Sequence, residues 1–392
     1  MSDTLSTGAK EQARRTIAAA ADQLVELSRM IHDYPELGFE EERASLWCEE
    51  ALDGAGFEVQ SGVCGLPTAF TASAGSGPLT IAICAEYDAL PEIGHACGHN
   101  LIAASAVGAA MGLARLADDL GVTVRVLGTP SEEGGGGKIL MLDRGGFDDV
   151  NAALMVHPAP SELDRMPCLA VSHFDVRYTG KAAHASAYPE RGVNAADAIT
   201  LAQVAIGLLR QHSAPHDQVH GIVTYGGAAP NIVPELAVAK FYIRAESLEA
   251  MKTWEPRVMK CFEAGAVGTG ASLEVLPQGP VYSEFVTDED MATLYRANAE
   301  AIGRVFQSGS DAMTASTDMG NVSLAVPAIH PLLSIDSLPA VNHQAEFAAA
   351  AVSPAANRAL LDGALAMAWT VIDMASTKST RTRLCARAHQ HS

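Results

Sequence analysis

The chain has 392 residues, 48% of them hydrophobic and 18% charged, so it is globular and long enough for more than one core. With 26 basic against 46 acidic residues the net charge is −20, which argues against nucleic acid or an anionic membrane as partner and reads as an ordinary solvated acidic surface. The seven cysteines (48, 64, 84, 97, 168, 261, 385) are scattered and odd in number, which points to a reducing cytoplasm rather than a disulfide framework. No run approaches the roughly 18 uninterrupted apolar residues of a membrane span, and residues 1–10 lack the apolar core of a signal peptide.

In chain order, residues 11–31 place Ile17, Leu24, Leu27 and Ile31 at helical spacing and read as an amphipathic helix. Residues 32–41 form a loop punctuated by Pro35 and Gly38, in which His32 and Glu36 read as packing or capping groups. A second helix covers 41–55, and 57–71 alternate loosely as strands. Gly75-Ser76-Gly77-Pro78 is a turn, and the β-branched apolar run 79–83 is a buried strand. The small apolar stretch 101–116 reads as a helix packed on the sheet. Residues 122–127 and 152–156 are two further buried strands.

Between the strand 79–83 and its helix lie Cys97 and His99, two residues apart. On a helix they would point nearly opposite ways, but on a turning segment they can face one point. Gly94 and Gly98 permit that turn. Thiolate plus imidazole is a transition-metal donor pair; the alternative is a buried free cysteine beside a structural histidine. Position favours the metal, because the pair lies beyond the carboxyl end of a strand, where α/β sheets place their ligands. The strand 122–127 ends in adjacent Glu132 and Glu133, followed by four glycines. A phosphate loop is excluded there, since the positions that need Gly and Ser or Thr hold Glu132 and Ile139. The strand 152–156 ends at His157. Three strands thus finish in groups able to hold a metal, which unrelated structural residues would have no reason to do.

From residue 169 the texture changes. Strands at 169–178, 219–225, 233–245 and 271–277 alternate with helices at 193–211 and 248–266. This βαββαβ order predicts an inserted ferredoxin-like domain over 169–282, between a first catalytic part at 1–168 and a second at 283–392. Its loops carry His184, which alone reads as a surface histidine, and Asn231. In the last part, 288–306 reads as a helix, 315–323 as a loop, 328–335 as containing a strand and 353–374 as a closing helix. Residues 376–392 read as a solvated, frayed tail.

The motifs Glu-Tyr-Asp-Ala-Leu-Pro (86–91), His-Ala-Cys-Gly-His-Asn (95–100), Pro-Ser-Glu-Glu (130–133), His157, Gly-Lys-Ala-Ala-His (180–184), Ala-Pro-Asn-Ile-Val-Pro (229–234), Ser-Thr-Asp-Met-Gly-Asn (316–321) and His343 occur in this order. Together they resemble the M20 metallopeptidase family. More narrowly they resemble its cysteine-ligand branch of aminoacylases, hippurate hydrolases, auxin-conjugate hydrolases and aminobenzoyl-glutamate hydrolases. The resemblance implies an α/β fold like that of the di-metal exopeptidases, with a central mixed sheet flanked by helices, and a lid that forms a homodimer. It implies a two-metal site, Zn or Mn with Co or Ni as further candidates, held by Cys97, His99, Glu133, His157 and His343, with the thiolate bridging. Glu132 matches the general base that deprotonates the metal-bound water, and Asp88 the acid that orients a ligand. His184 matches a histidine delivered across the dimer interface to the scissile carbonyl. Asn231 and Arg244 match groups holding the carbonyl oxygen and the substrate carboxylate.

The chain departs from family patterns at three points. Glu86 stands where other branches carry a metal-binding His, Asn100 where many members of this branch have Asp, and Gln344 follows His343. The expected activity is hydrolysis of the amide bond in a small N-acyl or aminoacyl amino acid. The sequence also admits hydrolysis of a carbamate or N-carbamoyl amide, a cysteine-nucleophile hydrolase built on Cys97 and His99, and a non-catalytic protein that binds acyl amino acids. From the residues alone, Glu132 rather than Glu133 could be the ligand.

Overall fold

A computed structural model describes residues 3–306 and 315–387. In chain order its strands are β1 (Glu58–Ser61), β2 (Phe70–Ala74), β3 (Leu79–Ala85), β4 (Val122–Gly128), β5 (Ala152–Leu154), β6 (His157–Ala159), β7 (Ala170–Thr179), β8 (Gln218–Tyr225), β9 (Leu236–Ala245), β10 (Ser272–Pro277), β11 (Ala328–Ile329) and β12 (Leu332–Ser334). The chain divides into two compact units: Met1–Pro167 with Phe285–Met313 and Asn321–Ser392, and Cys168–Glu284 with Thr314–Gly320.

In the first unit six strands run in the order β1-β2-β4-β3-β5-β11. β3, β4, β5 and β11 are parallel, while β1 and β2 are antiparallel additions, so the sheet is mixed. Every residue of β3 is buried, as expected of a central strand covered on both faces. The helix His99–Ala114 is apolar all round and buried from His99 to Leu113, which a helix enclosed by other elements requires. It packs against Pro354–Ser376 and Ala21–Asp33. The approach is close at Gly108, where a Cβ would stand 2.9 Å from Leu24 and 3.0 Å from Ala364. Pro354–Ser376 is long and apolar enough to cross a membrane by length and composition, but most of it is buried in this core.

The second unit is a four-stranded antiparallel sheet in the order β10-β7-β9-β8, with helices Ala195–Leu209 and Leu248–Thr269. Strand order four-one-three-two with this βαββαβ connectivity is the ferredoxin-like arrangement. Each helix starts where its cap predicts: Asn194 Oδ1 accepts from Ala196 N, and Ser247 Oγ from Ala250 N. A core of Phe174, Tyr178, Phe241, Trp254 and Phe262 lies between sheet and helices.

Several expectations change. The helix at 11–31 is two helices, Asp3–Ala19 and Ala21–Asp33, parted at Ala20; nothing in the sequence marks that break. The strand at 152–156 stops at Leu154, and His157 opens the separate strand β6, paired with β12. Met319–Ala325 is helical where a loop was expected, with Thr317 Oγ1 accepting from Met319 N. Thr314–Gly320 joins the inserted unit, because Leu169 N donates to Ala315 O and Ser316 Oγ donates to Leu169 O. The expected frayed tail is a helix, Lys378–Arg387. Leu384 is fully buried, Arg381 donates to the carbonyls of Leu120 and Gly121, and Arg383 makes a two-pronged pair with Asp288. Residues 388–392 lie outside the described residues.

Candidate metal centre

The carboxyl edge of the parallel strands carries the chemistry. β3 ends at Ala85 and releases Glu86 and Asp88, then Cys97 and His99; β4 ends at Gly128 before Glu132 and Glu133; His157 follows β5. The helix begins at His99, so Cys97 lies in the turn before it, with Gly98 at φ 79° as cap. Only glycine suits that position: a Cβ there would also meet Pro158 at 3.0 Å.

Cys97 Sγ stands 3.7 Å from His157 Nε2 and 3.4 Å from His343 Nε2. His343 Nε2 is 3.5 Å from Glu133 Oε1, and His99 Nε2 is 4.0 Å from Glu132 Oε2. Three overlapping groups of donor atoms, Cys97/His99/His157, Cys97/Glu133/His343 and His99/Glu132/Glu133, each fall within 4.8 Å. All six side chains belong to the first unit. Donors sharing one tetrahedral ion lie about 3.4 Å apart for N and O, and about 3.6 Å for N and S. The spacings at Cys97, His157, His343 and Glu133 therefore match co-ligands, whereas the 4.0 Å of Glu132 Oε2 is longer.

The partners of these candidate donors point the same way. His99 Nδ1 bonds Asp88 Oδ1 at 2.9 Å and His157 Nδ1 bonds Pro158 O at 2.8 Å. Each ring thereby keeps Nε2 turned to the cluster, the arrangement that orients metal-binding imidazoles. His99 Nε2 and Glu133 Oε1 are buried without a hydrogen-bond partner. A buried polar atom left this way calls for an ion or water, so the donor set fits divalent cations. His343 adopts φ 68°, and its backbone N donates to Ala96 O while Asn342 Nδ2 donates to Pro158 O. These bonds fix the backbone of the loop that carries His343.

Burial, and then the Glu133 carboxylate, push the Cys97 thiol well above its ordinary range. Burial holds His157 down at about 4, so its ring is a neutral donor. Burial also disfavours the His99 imidazolium, but Asp88 outweighs it and the net shift is upward. For Asp88 burial is likewise the largest influence, and His99 reverses it to leave the acid below its usual range.

Asp88 Oδ2 also accepts from Glu133 N at 2.9 Å, so one carboxylate orients His99 and fixes the glutamate loop. His184, Asn231 and Arg244 belong to the second unit. His184 and Asn231 are exposed on loops joined by Ala185 N donating to Asn231 O. His184 Nδ1 accepts from Ser186 N and Ala187 N, which leaves Nε2 to carry the proton. Arg244, on β9, donates to Ser316 Oγ at 2.6 Å and to His220 Nε2 at 3.1 Å. His32 bonds Ala348 O, and Glu36 accepts from Arg43 N and Ala44 N at a helix start. Asn100 donates to Ser28 Oγ and Ala351 O in the core.

Two groups beside the cluster carry no assigned role in the sequence reading, although Glu86 is noted there as a departure from the family pattern. Glu86 is fully buried and paired with Lys138, also fully buried. Glu41 accepts from Ser131 N and Thr68 Oγ1, both at 2.8 Å, and burial with the nearby Asp88 raises it to about 7. A lysine inside the apolar stretch after the glycines was the available signal for the first; Glu41 offered none.

A parallel-strand edge bearing thiolate, imidazole and carboxylate donors, with a ferredoxin-like insertion elsewhere in the chain, defines a two-unit metallopeptidase class. The profile of peptidase family M20/M25/M40 matches residues 82–357, and the chain belongs to that family. It is a hydrolase of C–N bonds. It is 39% identical over 383 residues to the Xaa-Arg dipeptidase of Mus musculus, covering 93% of this chain and 88% of that protein. It is 36% identical over 279 residues to one of the subunits of the p-aminobenzoyl-glutamate hydrolase of Escherichia coli, covering 66% of this chain and 58% of that one. The fold is shared with a dinuclear metal-binding M20 peptidase from Bacillus subtilis, at TM-score 0.69 and 21% identity over 92% of this chain and 99% of that one.

Proposed function

We propose that the chain hydrolyses the amide bond of a small aminoacyl amino acid with a free carboxylate, a dipeptide ending in a basic residue. The observation that carries the reaction is the meeting of Cys97, His99, Glu133, His157 and His343 with the buried Glu132 beside them. Two divalent cations, zinc or manganese, would be held by those five, and would supply the Lewis acidity that polarises a carbonyl and makes water nucleophilic at neutral pH. Glu132 takes the proton of the attacking water and hands it to the departing amine nitrogen. Asp88 keeps His99 in the tautomer that presents Nε2. His184 and Asn231 are assigned to the carbonyl oxygen, and Arg244 to the substrate carboxylate; Ser316 and His220 support Arg244 by holding its guanidinium. The likeness to the Xaa-Arg dipeptidase supports the dipeptide reading. The net charge of −20 would also draw in a cationic substrate.

A panel of Xaa-Arg, Xaa-Lys and Xaa-Glu dipeptides, N-acyl amino acids and N-carbamoyl amino acids, read by released amine with Mn²⁺ or Zn²⁺, tests the assignment. Xaa-Arg or Xaa-Lys should give kcat/KM at least about tenfold above the others, a difference of about 1.4 kcal/mol. Faster cleavage of acyl or carbamoyl compounds would replace it.

The homodimer is proposed through the inserted unit. β8 is an edge strand exposing Ile222, Val223 and Tyr225, and the helix Ala195–Leu209 exposes Leu201, Val204 and Leu208. Such an apolar edge is ordinarily covered. Light scattering should show a dimer that Ile222→Asp converts to monomer; a monomeric parent would end the idea. The seven free cysteines support a cytoplasmic setting.

A further inference from the structure

Glu86 leaves the end of β3 and is fully buried. Lys138 Nζ, also fully buried, takes its Oε1. Its Oε2 has no hydrogen-bond partner and stands 3.5 Å from His99 Nε2, which has none either. With Nδ1–H of His99 given to Asp88, only a proton or a metal cation can lie between that Nε2 and Glu86 Oε2, and a metal that binds His99 must displace the proton. The spacing is that of two donors on one tetrahedral ion, about 3.4 Å. Glu132 Oε2 stands farther from His99 Nε2, at 4.0 Å.

We propose that Glu86 is a further donor to the cation bound by His99, and that Lys138 fixes it so that a single oxygen is presented. The inference rests on the metal-centre reading above. A purely structural ion pair explains it less well. A buried pair is tolerable when its remaining lone pairs are satisfied, and once a cation holds His99 Nε2 no donor is left to Oε2.

The test is Co²⁺ titration of the metal-free full chain, read by its d–d and thiolate charge-transfer bands, with zinc affinity measured by dye competition. The parent chain should take up two ions. Glu86→Gln should keep the thiolate band, weaken one ion at least about tenfold, and change the d–d bands even at saturation. If the parent chain binds no ion, the metal-centre reading falls. If it binds two and Glu86→Gln matches it in affinity and spectrum, the donor role alone falls. Should Glu86→Gln fail to fold because Lys138 is left unpaired, Glu86→Gln/Lys138→Met removes both charges and is read the same way. Crystals of the zinc-loaded parent chain settle it without a substitution: an ion should lie about 2.0–2.2 Å from Glu86 Oε2, and one beyond about 3 Å overturns the proposal.

Discussion

Glu132→Gln should lower kcat by about 10³-fold while leaving two bound ions and a nearly unchanged KM. A positioned general base contributes roughly 10²–10⁴ in rate, and three decades are about 4 kcal/mol of barrier. The amide keeps the size of the side chain and its capacity for hydrogen bonds, but it cannot accept the proton that water must lose. The two adjacent glutamates are not equivalent. Glu133 Oε1 stands 3.5 Å from His343 Nε2, and its backbone N donates to Asp88 Oδ2. Ionisation of Glu133 is opposed by burial, yet its contact with His343 holds the acid below its usual range, as suits a ligand. Glu132 lies beside His99 at 4.0 Å. Glu133→Gln should therefore lose metal as well as rate, whereas Glu132→Gln loses rate alone. Metal content by mass spectrometry together with steady-state kinetics separates the two. An active Glu132→Gln enzyme, or one stripped of its ions, would reverse the roles.

What could be read in advance was whatever repeats at short range. The buried strands 79–83 and 122–127 announce themselves by apolar β-branched runs, and ligands gather at their carboxyl ends because parallel sheets leave that edge open. The Cys97 and His99 pair was readable because a spacing of two converges on a turn. Glu41 was not, because carboxylates are abundant and only burial separates it from the surface ones, and Glu86 stood out only as a departure from the family pattern, with no role attached. The Lys378–Arg387 helix was misread as a tail for a related reason. Arg381 and Arg383 look solvated in sequence, but their partners, Leu120, Gly121 and Asp288, lie roughly a hundred or more positions away. The helix break at Ala20 has no Gly or Pro to announce it. The 314–320 segment changed units through long-range bonds to Leu169 that no window of sequence contains.

Exhaustive chelation should abolish turnover, and Mn²⁺, Co²⁺ or Zn²⁺ should restore it. Activity that survives would favour a cysteine nucleophile on Cys97, which thiol alkylation of the stripped protein would then block. The same treatment should lower the melting temperature, because ions that bind only the folded chain stabilise it by about 4 kcal/mol at a thousand times their dissociation constant. The pH dependence has a definite sign. His157, held at about 4, needs no deprotonation to serve as a ligand near neutrality. Cys97 does: burial, and then Glu133, keep its proton on until a cation displaces it. His99 does too, since Asp88 overcomes burial and raises its proton affinity in the metal-free form. Uptake of ions must release both protons, so apparent affinity climbs with pH and chelators strip the site more readily as pH falls. Competition titrations with Zn²⁺ at pH 6, 7 and 8, corrected for the chelator's own protonation, should show affinity rising at each step. An affinity flat across that range would mean that Cys97 and His99 are not the groups that hold the ions.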